Sequence, residues 1–198
     1  MENIIFFQDG LVLFFGAFFI ELEQAILFLL VVTAALIDMK SRRIPNKLVF
    51  SGAIAAILYH SVSPYGIGFV SSMSGLGVGL LALLPLYVIR AMGAGDVKLM
   101  AMVGAFLGPA SAIGAIVATL IAGGALAFVA AMRNRSVQRM VNNVRAMMTH
   151  ALVGAATGTP MHDGINAISA GKLPYGIAIA IGTSVHLLLI KNGHALLS

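Results

Sequence analysis

Two aspartates stand where long apolar runs end. Asp96 follows Gly93-Ala94-Gly95 and leads into Val97-Lys98, and Asp38 closes a run ending Leu36-Ile37 ahead of Met39-Lys40-Ser41-Arg42-Arg43-Ile44-Pro45-Asn46. A carboxylate beside hydrocarbon costs roughly 3 kcal/mol or more, so each marks a functional site and calls for a partner. Each is the obvious partner of the other. Two carboxylates within a few ångströms cannot both ionise readily and come to share one proton. The ionised member can draw a proton from a water that attacks a peptide carbonyl, while the protonated member donates to the developing oxyanion. Gly93 and Gly95 let the backbone come close or take positive φ where a helix opens.

Other chemistries find less support. As a plain alternative, Asp96 is a helix N-cap; Asp38 fits that role less well, because a carboxylate at a helix C-terminus meets the wrong end of the dipole. A zinc peptidase needs His-Glu-x-x-His, and no histidine here is followed by Glu. A serine peptidase would have to pair Ser74 with His150 or His186, although Ser74 falls mid-span and His150 at a membrane surface. His162-Asp163 reads as an ordinary polar loop before it reads as a metal site. Met100, Met102, Met147 and Met148 read as packing. No metal site and no cofactor are expected.

The aspartates must be positioned by helices that lie in a membrane. The chain of 198 residues is 60% hydrophobic and 10% charged, with a mean hydropathy of +1.00. A soluble domain carries about 25% charged residues and about 45–50% apolar ones. The 22 glycines suit close helix contact in lipid. A single membrane-embedded domain over residues 1–198 is expected: an all-α polytopic bundle of about six spans. The spans fall near residues 24–37, 45–60, 69–89 with Pro85 inside, 96–107, 110–132 and 177–190. Pro45 is expected in the first turn of the second, residues 61–68 form a turn, and Gly108-Pro109 breaks the chain after a helix-packing pair, Gly104 and Gly108. Residues 1–23 read as a short span, a tilted half-helix or an interfacial segment, without the basic start and small-residue cleavage site of a signal peptide, so the sequence is read as mature.

Residues 133–150 place Val137, Met140, Val141, Val144, Met147 and Met148 at three- and four-residue steps, with Arg135, Arg139, Asn142 and Asn143 elsewhere. This predicts an amphipathic helix on an anionic membrane surface or against the protein itself. Residues 151–171 follow as a loop or re-entrant stretch.

The formal charge of +5 does not point to nucleic acid, because it follows topology. If spans ending at Asp38, Arg90 and Met132 run inward, eleven of the twelve basic residues lie inside, Lys40, Arg42, Arg43, Lys47, Lys98 and Lys172 among them, and only Lys191 outside. The positive-inside rule then puts Asp38 and Asp96 on one face, the cytoplasmic one. Arg42, Arg43 and Lys172 are candidates for contact with substrate or with anionic lipid headgroups. The absence of cysteine excludes a disulfide framework and a thiolate zinc site.

The run Gly93-Ala94-Gly95-Asp96-Val97-Lys98-Leu99, together with Asp38 and Ile44-Pro45-Asn46, resembles the type IV prepilin leader peptidases, the GxGD aspartic membrane proteases. Lys172-Leu173-Pro174-Tyr175-Gly176 is similar to the opening of the last helix in the short branch that serves tight-adherence (Flp-type) pili. The resemblance implies a bacterial inner-membrane endopeptidase that cuts a prepilin after its short basic leader at the cytoplasmic face. Asp38 and Asp96 would be its catalytic pair, with Gly93, Gly95, Lys98, Ile44, Pro45 and Asn46 supporting the motif. Larger members carry a cysteine-rich zinc segment and N-methyltransferase activity; with no cysteine and 37 residues before Asp38, cleavage without that segment is expected here, and methyl transfer is not assigned. Two other classes compete: a small proton-coupled transporter using both aspartates as a relay, and a catalytically silent secretion scaffold. The transporter lacks the inverted repeat common in such proteins.

Overall fold

The computed structural model describes residues 12–15, 18–89, 91–133 and 175–191, together with positions 138, 142, 145 and 149. Two strands, β1 (Val12–Phe15) and β2 (Phe18–Glu21), pair antiparallel with Phe15 opposite Phe18. Over the described residues 12–15 and 18–21 the N-terminal segment is therefore extended and not helical; the aromatic and β-branched composition of these strands favours extended backbone. From there the described chain is all-α.

Helix α1 (Leu22–Ser41) follows directly. It ends at Arg42, which takes a left-handed φ of 51°, and the Arg42 N–H donates to the Asp38 carbonyl at 2.8 Å. This is the single-bond αL cap, a place usually held by Gly or Asn. Helix α2 (Asn46–Val62) opens with Pro45 immediately before it, in extended conformation with ψ 127°. Pro45 thus occupies the cap position and not the first turn, as extended ψ keeps it outside the helix. Helix α3 (Phe69–Val88) contains Pro85 one turn from its end.

Helix α4 (Ala94–Arg133) is broken at Gly108, with φ 76° and ψ 174°. Its two arms fold back on each other, because both return to Tyr175: Asp96 of the first arm lies within electrostatic reach of that residue, and Gly123 of the second lies under its ring. Only glycine accepts this φ without strain, and Pro109, lacking an N–H, suits the opening of the second arm. Helix α5 (Tyr175–Lys191) completes the bundle.

Helix α4 packs against α1, α2, α3 and α5, and α1 also against α5. Leu99, Met100, Met102 and Val103 of its first arm are fully buried. Glycine permits the closest approach. A Cβ on Gly104 would collide with the Gly75 carbonyl, and one on Gly79 with the Met100 carbonyl, whereas Gly77 faces open space. With no hydrophobic drive between helices in lipid, such small-residue contacts are what hold a bundle together. At the end away from the aspartates, His60 Nε2 lies 3.0 Å from the Phe106 carbonyl, and Ser72 Oγ donates to the Ala105 carbonyl at 2.8 Å.

Among the described residues, three helices are long and apolar enough to cross a membrane: Glu23–Ser41, Phe69–Val88 and Ala94–Arg133. The count of about six is not met on length. Two of the expected spans are the arms of α4, and α2 and α5 have 17 residues each, or about 26 Å at 1.5 Å per residue against a core of about 30 Å. Gln138, Asn142, Arg145 and Thr149 are helical and exposed at one-face spacing, and Thr149 Oγ1 donates to the Arg145 carbonyl at 3.1 Å. The apolar positions expected opposite them, and residues 151–171, lie outside the described residues.

Candidate active site

Asp38 belongs to the last turn of α1, where carbonyl oxygens face it and its charge is unfavourable. The fold answers this with a second helix. Gly176, the second residue of α5, donates its N–H to Asp38 Oδ2 at 3.1 Å, so the positive end of one helix opposes the negative end of another. A Cβ on Gly176 would lie 3.0 Å from both Cβ and Oδ2 of Asp38. The close approach needs glycine.

Asp96 is the third residue of α4. Its Oδ2 accepts the Gly93 N–H at 3.1 Å, while its own N–H donates to the Gly93 carbonyl at 3.1 Å. This is the reach-back half of a capping box. The cap position belongs to Gly93, and Asp96 sits three residues further on, inside the first turn and not ahead of it. Serving the helix end does not exclude serving as an acid or base, since Oδ1 takes no part in that bond.

The two carboxylates come together. Asp38 is 7% exposed and Asp96 8%, and each lies in the electrostatic field of the other. Tyr175 borders the same spot from α5, within reach of Asp96. Two buried carboxylates from different helices, each in the field of the other, therefore share one end of the bundle.

The supporting residues form a strap beside the pair. Gly95 packs on Ile44, whose Cβ would be 3.2 Å from a Cβ at that glycine. Lys98 Nζ donates to Asn46 Oδ1 at 3.2 Å and lies 5.5 Å from the centre of the Phe50 ring. Lys98 is thus engaged with α2, and together with the Ile44–Gly95 contact it ties the 42–46 connection to the start of α4. Arg42 and Arg43 are exposed at the same end; Lys172 lies outside the described residues.

The alternatives do not assemble. Ser74 Oγ donates to the Ser71 carbonyl, while His186 is buried against Gly114 on the other side of the bundle; His150 and the His162-Asp163 pair lie outside the described residues. Among the described residues, no group of three or more His, Asp or Glu side chains could hold a metal. Residue-type reasoning missed Gly176 and Tyr175 as members of the site: a backbone N–H leaves no mark in side-chain chemistry, and only the resemblance of 172–176 pointed there.

A family model described as the type IV leader peptidase family matches residues 25–128. That stretch holds both aspartates and the strap, and leaves out α5. Searches of curated proteins and of solved structures gave no significant match.

Proposed function

Since the chain belongs to the type IV leader peptidase family, we propose that it is an aspartic endopeptidase with Asp38 and Asp96 as its catalytic pair. Its substrate is a Flp-type prepilin, cut after the short basic leader at the cytoplasmic face of the bacterial inner membrane. The observation that carries this reading is the pair itself, two buried carboxylates from α1 and α4 interacting at one end of an apolar bundle. One member takes a proton from water, the water attacks the scissile carbonyl, and the other member donates its proton to the oxygen that becomes negative. The tetrahedral intermediate then collapses with proton return to the leaving amine.

The cytoplasmic placement is supported by Lys40, Arg42, Arg43, Lys47 and Lys98, which cluster at the aspartate end. Arg42 and Arg43, with Lys172, are proposed to meet anionic headgroups, because a basic leader would repel them. Six crossings are part of the same proposal, with the arms of α4 as separate spans and α2 and α5 crossing slightly thinned lipid. The chemistry calls for no cofactor.

The experiment is cleavage of a co-expressed Flp-type prepilin in membranes by the wild type and by Asp38→Asn and Asp96→Asn. Loss of cleavage in both variants at normal membrane levels supports the pair. Wild-type cleavage by either variant rejects it.

A further inference from the structure

Hydroxyls on these helices mostly fold back on their own backbone. Thr33 Oγ1 donates to the Leu29 carbonyl at 2.7 Å and Ser184 Oγ to the Ala180 carbonyl at 2.7 Å. Thr119 and Thr183 do not. Both are buried, at 1% and 0% exposure, and neither Oγ1 makes a hydrogen bond to protein. His186 is also fully buried; the Ser111 carbonyl is near it, yet neither ring nitrogen meets hydrogen-bond geometry.

Thr119 and His186 lie on one seam, and Thr183 adjoins it on α5. The second arm of α4 runs antiparallel to α5, with Gly114 against the His186 ring, Thr119 against Gly182, and Gly123 against Tyr175 and Ala178. Thr183 and His186 are three residues apart on α5 and so occupy one face. The seam thus gathers two hydroxyls and an imidazole, each able both to donate and to accept. A buried group left unpaired costs about 1–3 kcal/mol, and lipid offers no relief.

We propose that the α4–α5 seam is a binding site for water, held between Thr119, Thr183 and His186. Water is the ligand whose small size and mixed donor–acceptor character suit a seam this close, where Gly114 meets the His186 ring and Gly182 meets Thr119; a buried water makes about three hydrogen bonds to groups that lack other partners. Neither helix carries Asp, Glu, Lys or Arg over residues 109–132 and 175–190, so the two seam helices offer an ion no counter-charge. Thr183 lies seven residues beyond Gly176 on α5, about 10 Å along the axis, so this site is distinct from the aspartate pair and does not depend on the peptidase reading.

The test uses the full chain in nanodiscs. Radiolytic labelling in ¹⁸O water marks side chains beside bound water. Incorporation at His186 is expected several-fold above that at Met100 and Met102, which are fully buried in an apolar setting and intrinsically more reactive. Incorporation no higher than at those methionines overturns the proposal. Thr119→Val and Thr183→Val give a second readout through the sign of the melting shift. If the hydroxyls hold water, each variant lowers Tm by a few degrees; if they are dry, the methyl leaves Tm unchanged or raises it, and the proposal fails on that result alone.

Discussion

The N–H of Gly176 donates to the carboxylate of Asp38 across 138 positions of sequence, at 3.1 Å. One aspartate of the pair is therefore fixed by a helix that lies beyond the stretch matched by the family model. Gly176→Ala sets a Cβ against Asp38 at 3.0 Å, and one of the two must move. Cleavage is expected to fall on the order of 10²-fold, the scale for displacing a catalytic group by about 1 Å, while the protein still inserts and folds. Initial rates on a prepilin substrate, with the melting temperature alongside, separate these effects.

A pair that shares one proton works in a single protonation state. Cleavage is expected to trace a bell against pH, falling at low pH when both carboxyls are protonated and no base remains, and at high pH when both are ionised and no acid remains. The two limbs belong to the pair and not to either residue. In Asp38→Asn and Asp96→Asn the bell disappears into background, a loss on the order of 10³-fold or more. A pH–rate profile in membranes checks both points.

Two glycines of similar sequence setting are expected to behave in opposite ways. Gly104→Ala drives a methyl into the Gly75 carbonyl, whereas Gly77 has open space around it. The first is expected to cost about 1–3 kcal/mol or more, as overpacking does. Gly77→Ala is expected to stabilise by about 0.5–1 kcal/mol, because alanine loses less backbone freedom in a helix. Thermal unfolding in one detergent decides both.

Lys98 and Asn46 hold α4 to α2 by one hydrogen bond of 3.2 Å at the solvent-facing end of the bundle. A double-mutant cycle of Lys98→Met and Asn46→Ala is expected to give a coupling of about 0.5 kcal/mol, the low end for such a bond. Cleavage is expected to suffer more than stability, since the strap carries Ile44 against Gly95 beside Asp96.

The aspartates, their shared end of the bundle and the helix-packing glycines were legible because each leaves a mark in side-chain type: a charge in an apolar run, cations on one side, Gly at four-residue spacing. The order of helices was legible for the same reason. What was not legible is geometry made by backbone. Pro45 as a cap, Asp96 three residues inside its helix and the N–H of Gly176 all depend on where a helix begins, and boundaries shift by a residue or two without changing composition. The hairpin at 12–21 was missed because a short apolar run reads equally as strand or helix. The buried polar seam escaped for another reason: Thr119 stands more than sixty positions before Thr183 and His186, and comes beside them only when the second arm of α4 lies along α5.

That doubling-back of α4 at Gly108 makes the far end of the bundle a fulcrum. The outgoing arm carries Asp96, and the returning arm carries the surface on which α5 rests, the helix that fastens Asp38. The bend is therefore connected to the two carboxylates by separate routes, one through each arm. The supports of both carboxylates thus run back to one uncharged glycine, at the far end of the arm that carries Asp96.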